Sequence, residues 1–167
     1  MRLQSEQPTG RRVGPPQTLW RAFFLPETTQ FHHDKVQAYL ATDYRLGHTD
    51  QDIVLTIGKH SERLATLFAG NGVNCGAFLT AYNPQGTIQS DAANAQGHAE
   101  LASKLQELGL QAIEGSGSAE GTDWPAEKSY FALGLALEPA KAIGTHFDQD
   151  AIVWVGPDAV PQLILLR

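Results

Sequence analysis

The stretch Cys75-Gly76-Ala77-Phe78-Leu79-Thr80-Ala81-Tyr82 is apolar at almost every position, so neither side of it can be turned to water. A run this short, broken at once by Asn83-Pro84-Gln85-Gly86, fits a central strand covered on both faces. The chain must therefore supply elements for two sides of a sheet, and its periodicity provides them. Val36, Tyr39 and Leu40 follow helical spacing. Ile53, Leu55 and Ile57 alternate with Val54 and Thr56, which predicts a strand over 52–58. Ser61 can cap a helix whose inner face is Leu64, Leu67 and Phe68 and whose end is marked by Gly70 and Gly72.

Beyond the central run, Ser90 caps a long helix to Leu108, with Asp91 at its positive end and Gly109 just past it. A strand over 110–113 follows. Glu114–Glu127 then reads as a long Gly/Ser-rich loop, anchored by Trp124 and with a mobile tip able to cover a site. Residues 128–136 return as a strand. Pro139 opens a last helix with Ala140, Ile143 and Phe147 inward, and 151–155 pairs with 162–166 around Gly156-Pro157-Asp158. Strand and helix alternating through the middle imply right-handed parallel crossovers, with antiparallel additions at either end. The expectation is a single α/β domain: a mixed parallel and antiparallel sheet with about four packed helices. Residues 1–17, rich in Gly and Pro, read as a flexible leader, and Leu19–Leu25 as an arm docking on the 18–167 body.

Charge narrows the partners. Four arginines fall in residues 1–30, so the remainder carries eight basic against sixteen acidic residues. That surface repels phosphate backbones, and nucleic acid is disfavoured. No apolar run approaches the roughly 20 residues a membrane helix needs. Arg11-Arg12 leads into Val13-Gly14-Pro15-Pro16 rather than an apolar region, so no secretory signal is expected. Cys75 is the only cysteine, which excludes an internal disulfide and suits a reducing, cytoplasmic location.

Several motifs then come into line. Thr80-Ala81-Tyr82-Asn83-Pro84, Ser90 and Asn94, Trp124-Pro125-Ala126-Glu127-Lys128-Ser129, and Gln149-Asp150-Ala151-Ile152-Val153-Trp154 together resemble the bacterial domain-of-unknown-function family numbered 3293. The resemblance runs over about residues 35–167 and implies no known activity. It has one departure: the family's usual Gln-Asn-Ala is Gln149-Asp150-Ala151 here.

The chemistry suggested by shorter motifs is weak. Gly115-Ser116-Gly117-Ser118-Ala119-Glu120-Gly121 misses the dinucleotide fingerprint by one residue and is followed by Trp124-Pro125 where a helix should begin. Gly58-Lys59-His60-Ser61 lacks the first glycine of a phosphate loop. The pairs His32-His33 and His146-Asp148 lack the spacing of metal ligands, so neither metal nor cofactor is expected. The better candidate is positional. Asn94 and His98 share a stripe with Leu101, Leu105 and Leu108, and Asn83 ends the central strand. Glu127 and Gln149 adjoin other strands and can converge there. A small polar molecule would then be held by Asn83, Asn94 and Gln149, with Glu127 as general acid or base of a hydrolase or transferase. The resembling motifs add Ser90, Trp124 and Ser129 to the ligand-binding set. The same residues also fit a binding or regulatory module without catalysis, or a purely architectural network of turns and caps.

Overall fold

The computed structural model describes residues 33–47, 52–119 and 121–167; the leader, the 19–25 arm and most of the turn at 47–50 lie outside them. In chain order the elements are α1 (His33–Leu40), β1 (Asp43–Leu46), β2 (Ile53–Leu55), α2 (Glu62–Asn71), β3 (Gly76–Thr80), α3 (Asp91–Glu107), β4 (Ala112–Ser118), β5 (Glu127–Leu133), α4 (Leu137–His146), β6 (Ala151–Val155) and β7 (Pro161–Leu165). A short 3-10 turn, Pro84–Gly86, follows β3. The seven strands form one curled sheet in the order β2-β1-β4-β5-β3-β6-β7.

Every pairing in that sheet is antiparallel, which overturns the mixed sheet expected above. The reason lies in adjacency. β3 and β4, joined by α3, run the same way, but β5 lies between them and opposes both. β5 and β6, joined by α4, also run the same way, and β3 lies between them. Each helix thus links co-directional strands, as a crossover does, but the slot beside each strand is filled by one from elsewhere in the chain. Hydrophobic periodicity reports the type of element and its buried face; it carries nothing about which strand fills a slot.

Alternation along the strands builds two cores. On one face Ala77, Leu79, Ala132 and Ile152 pack against Leu101 and Leu105 of α3 and Ala140 and Ile143 of α4. On the other, Tyr44, Phe78, Phe131 and Val153 pack with Leu64 and Phe68 of α2. The helix ends follow the expected caps. Ser61 Oγ accepts from Leu64 N, Ser90 Oγ accepts from Ala93 N, and Gly72 closes α2 in the left-handed conformation at φ 65°. α4 starts at Leu137, so Pro139 falls within its first turn rather than opening it.

The Gly/Ser segment also departs from the loop expected of it. Glu114–Ser118 is not loop but the greater part of β4, paired with β1 on one side and β5 on the other. Its residues on the α2 face are Ile113, Gly115 and Gly117, opposite Phe131, Ser129 and Glu127. At Gly115 there is no room for a side chain. A Cβ on Gly115 would lie 2.2 Å from the Arg45 carbonyl oxygen and 3.1 Å from the Phe78 ring. Because glycine replaces the apolar half of the alternation, a genuine strand lacks the pattern by which strands are read.

Candidate functional site

α2 covers only one end of its face of the sheet. Toward the other end β3, β5 and β6 present small or polar residues, Thr80, Ser129 and Ala151, and α1 stands off the sheet across from them. The result is a cavity of about 330 Å³, within the usual size of small-molecule sites. Its walls include Ala38, Tyr39, Tyr44, Phe78, Val153 and Leu163, with Asn83, Trp124, Glu127, Ser129 and Gln149 at the polar end. Gly117 lines it as well, so the side-chain-free strand β4 helps to make the room.

Asn83 organises the polar end. It leaves β3 in the left-handed conformation, φ 46°, which asparagine tolerates better than most residues. Its backbone N–H donates to Asn94 Oδ1 at 2.9 Å, and its own Oδ1 accepts from Asn94 Nδ2 and from Gln89 N, both at 3.0 Å. Its Nδ2 donates to Glu127 Oε1 at 2.9 Å. Gly86 N donates to its carbonyl at 2.9 Å, so every hydrogen-bonding group of Asn83 is engaged on a protein partner. Asn83 positions its neighbours and has little left for a ligand.

Glu127 is the group with capacity to spare. Trp124 Nε1 donates to the same Oε1 at 3.0 Å, so two donors fix one carboxylate oxygen, and among the described residues no donor reaches the other. Burial pushes the Glu127 carboxyl above its ordinary range, while the Asn83 and Trp124 hydrogen bonds pull it back. Across the cavity, burial raises both tyrosine phenols far above their usual value, and the Glu127 charge adds to the shift of each. Both phenols stay neutral at any physiological pH.

Residues 79–152 match the family model described as a protein of unknown function, DUF3293. This is the family that the quoted motifs resemble, over a narrower stretch than those motifs suggest. No curated protein and no solved structure matches the chain. The matched stretch holds all seven nominated site residues, whereas α1, β1 and β7, which complete the cavity, fall outside it.

Of the seven, the structure brings Asn83, Trp124, Glu127, Ser129 and Gln149 to one cavity. Ser129 is buried and its hydroxyl donates to the Glu127 carbonyl. Gln149 spends Nε2 on the Tyr82 and Phe147 carbonyls, at 3.0 and 3.3 Å. Asn94 is buried behind Asn83 and does not line the cavity, and Ser90 caps α3 at the surface. His98, on the stripe with Asn94, lies on the opposite face of the sheet. Its ring stacks on Tyr130 at 4.3 Å and meets the edge of Tyr82. Among the described residues no group of three His, Cys, Asp or Glu is placed to hold a metal ion. No helix among them is long and apolar enough to cross a membrane.

Sequence reasoning missed the far wall. Lys35 and Tyr39 of α1 line the cavity and reach Asp150, a carboxylate only 4% exposed that also takes Arg167 Nε at 3.2 Å. Tyr44 donates its hydroxyl to the Tyr39 carbonyl at 2.8 Å, fastening the end of α1 to β1. Asp150 was the one available signal. A buried acid asks for a cation, and Lys35 and Arg167 both supply one.

Proposed function

We propose that this chain is a small-molecule-binding domain whose ligand occupies the cavity between α1 and the sheet. The single observation that carries the reading is Glu127: a carboxylate held through one oxygen by Asn83 and Trp124, at the polar end of an otherwise largely apolar cavity. Fixed polar groups at one end of an apolar space are the usual means of orienting a ligand. A single cysteine and an acidic body support a cytoplasmic location and a small molecule over nucleic acid as partner.

A ligand-observed NMR screen of a fragment collection, run on the wild type and on Ala151→Leu, tests this. Ala151 lines the cavity, and the larger side chain fills part of it. Saturable binding that is lost in a folded Ala151→Leu protein is the expected result. Fragments that bind both proteins alike would refute the reading.

The raised Glu127 carboxyl favours a second reading, a hydrolase or transferase in which Glu127 moves a proton to or from the bound molecule. Conversion of a bound fragment by the wild type, abolished in Glu127→Gln while binding persists, would establish it. Binding without conversion leaves the non-catalytic module.

A further inference from the structure

From the rings and the carboxylate of this cavity we infer that its ligand is an organic cation, an alkyl- or arylammonium group on a mainly apolar body. The inference rests on the binding reading above and gives it a chemical class. Four aromatic residues line the space: Tyr39 from α1, Tyr44 from β1, Phe78 from β3 and Trp124 from the turn before β5. Tyr44 and Phe78 meet edge to face, centroids 5.4 Å apart, which fixes two of the rings against each other. The Trp124 indole is held by its bond to Glu127, so that ring and carboxylate form one unit.

Ring faces carry negative electrostatic potential and attract cations without offering them a strong hydrogen bond. A carboxylate beside them supplies the full charge, and here one of its oxygens is left unused by the protein. The polar neighbours leave a ligand anion few donors. Asn83 Nδ2 is already on Glu127, Gln149 Nε2 is on two backbone carbonyls, and the Ser129 hydroxyl is on the Glu127 carbonyl. Lys35, the cation among the described lining residues, is ion-paired with the buried Asp150. A cavity with these properties discriminates by charge: it favours an ammonium over a neutral molecule of the same shape, and disfavours a carboxylate.

Matched probes measure that preference on the full chain. Choline is compared with neohexyl alcohol, its uncharged carbon isostere, and benzylammonium with benzyl alcohol, each titrated by calorimetry or NMR. Desolvated cation–π contacts together with a carboxylate predict that each ammonium binds at least about tenfold tighter than its neutral match. In Glu127→Gln, which retains an oxygen for both donors, the ratio should fall toward one. Trp124→Leu should weaken the ammonium probes several-fold more than the neutral ones, and Trp124→Phe should restore part of that difference. Trp124 is 41% exposed, so neither replacement threatens folding. If the neutral probes bind as well as the ammonium probes, or if only other fragments enter the cavity, the class assignment is overturned and the binding reading stands. If no small molecule enters the cavity at all, both fail.

Discussion

Replacing Asn94 by alanine separates an architectural polar network from a ligand-contacting one. The Asn94 amide makes two bonds, accepting from Asn83 N at 2.9 Å and donating to Asn83 Oδ1 at 3.0 Å, and both residues are buried. In the variant the Asn83 N–H loses its partner in a place water reaches poorly, a loss of about 1–3 kcal/mol. The second bond is a smaller loss, about 0.5–1.5 kcal/mol, because Asn83 Oδ1 still accepts from Gln89 N. Together they predict about 2–4 kcal/mol of destabilisation. In a domain of this size that lowers the melting temperature by roughly 5–15 °C. Urea denaturation followed by tryptophan fluorescence gives the free energy, and hydrogen exchange of residues 83–90 reports whether the loop loosens first. Ligand affinity, measured on the fraction that remains folded, should change less than stability. A loss below about 0.5 kcal/mol would refute the reasoning, since it would mean that the Asn83 N–H finds another partner at no cost.

Leu79→Ala, in a strand position only 1% exposed, should cost about 2–5 kcal/mol, checked by denaturation midpoint. Gly115→Ala should be more disruptive than its size suggests, since its Cβ would press on the Arg45 carbonyl; solubility and circular dichroism of the variant would show it. Residues 115–117, paired on both sides, should exchange amide hydrogens slowly, and fast exchange there would favour the loop reading. Glu127 has its folded pKa raised above the ordinary 4.5, so the folded state favours the protonated form. Its stabilising effect is therefore present below the unfolded pKa and is lost as pH rises through the folded pKa. Glu127→Gln should lack this slope, and the melting temperature of the variant relative to the wild type should climb from about pH 4.5 upward.

What could be read from the residues was local. Helix limits followed from Ser61, Ser90, Gly72 and the spacing of Leu64, Phe68, Leu101 and Leu105, because caps and amphipathic stripes are written in neighbouring positions. The burial of Ala77–Leu79 was legible in the same way, from an unbroken apolar run. Pairing was not, since nothing near Thr80 indicates that it will face Ser129. Strand β4 was hidden by Gly115 and Gly117, which remove the apolar half of its alternation, and at Gly115 the Arg45 carbonyl leaves no room for a side chain. For the cavity, polar residues at strand ends pointed to one wall, Asn83, Glu127 and Gln149. The opposite wall was silent because Tyr39 and Tyr44 look like ordinary core residues, and the Lys35–Asp150 pair joins distant parts of the chain.

The seating of β3 between β5 and β6 sets the order in which such a sheet can assemble. The β4–β5 and β6–β7 hairpins join segments close in sequence and can close early, on the microsecond scale of local hairpins. β3 gains its partners only when Thr80 meets Ser129 and Ala77 meets Trp154, long loops that must be closed against their entropy. Until then Phe78 and Leu79 stand on an apolar segment with both edges open, the kind of surface that chaperones and aggregating chains recognise. Insertion of β3 and the equally long-range pairing of β1 with β4, Asp43 to Ser118, join the local hairpins into one sheet, and contacts of such separation slow folding.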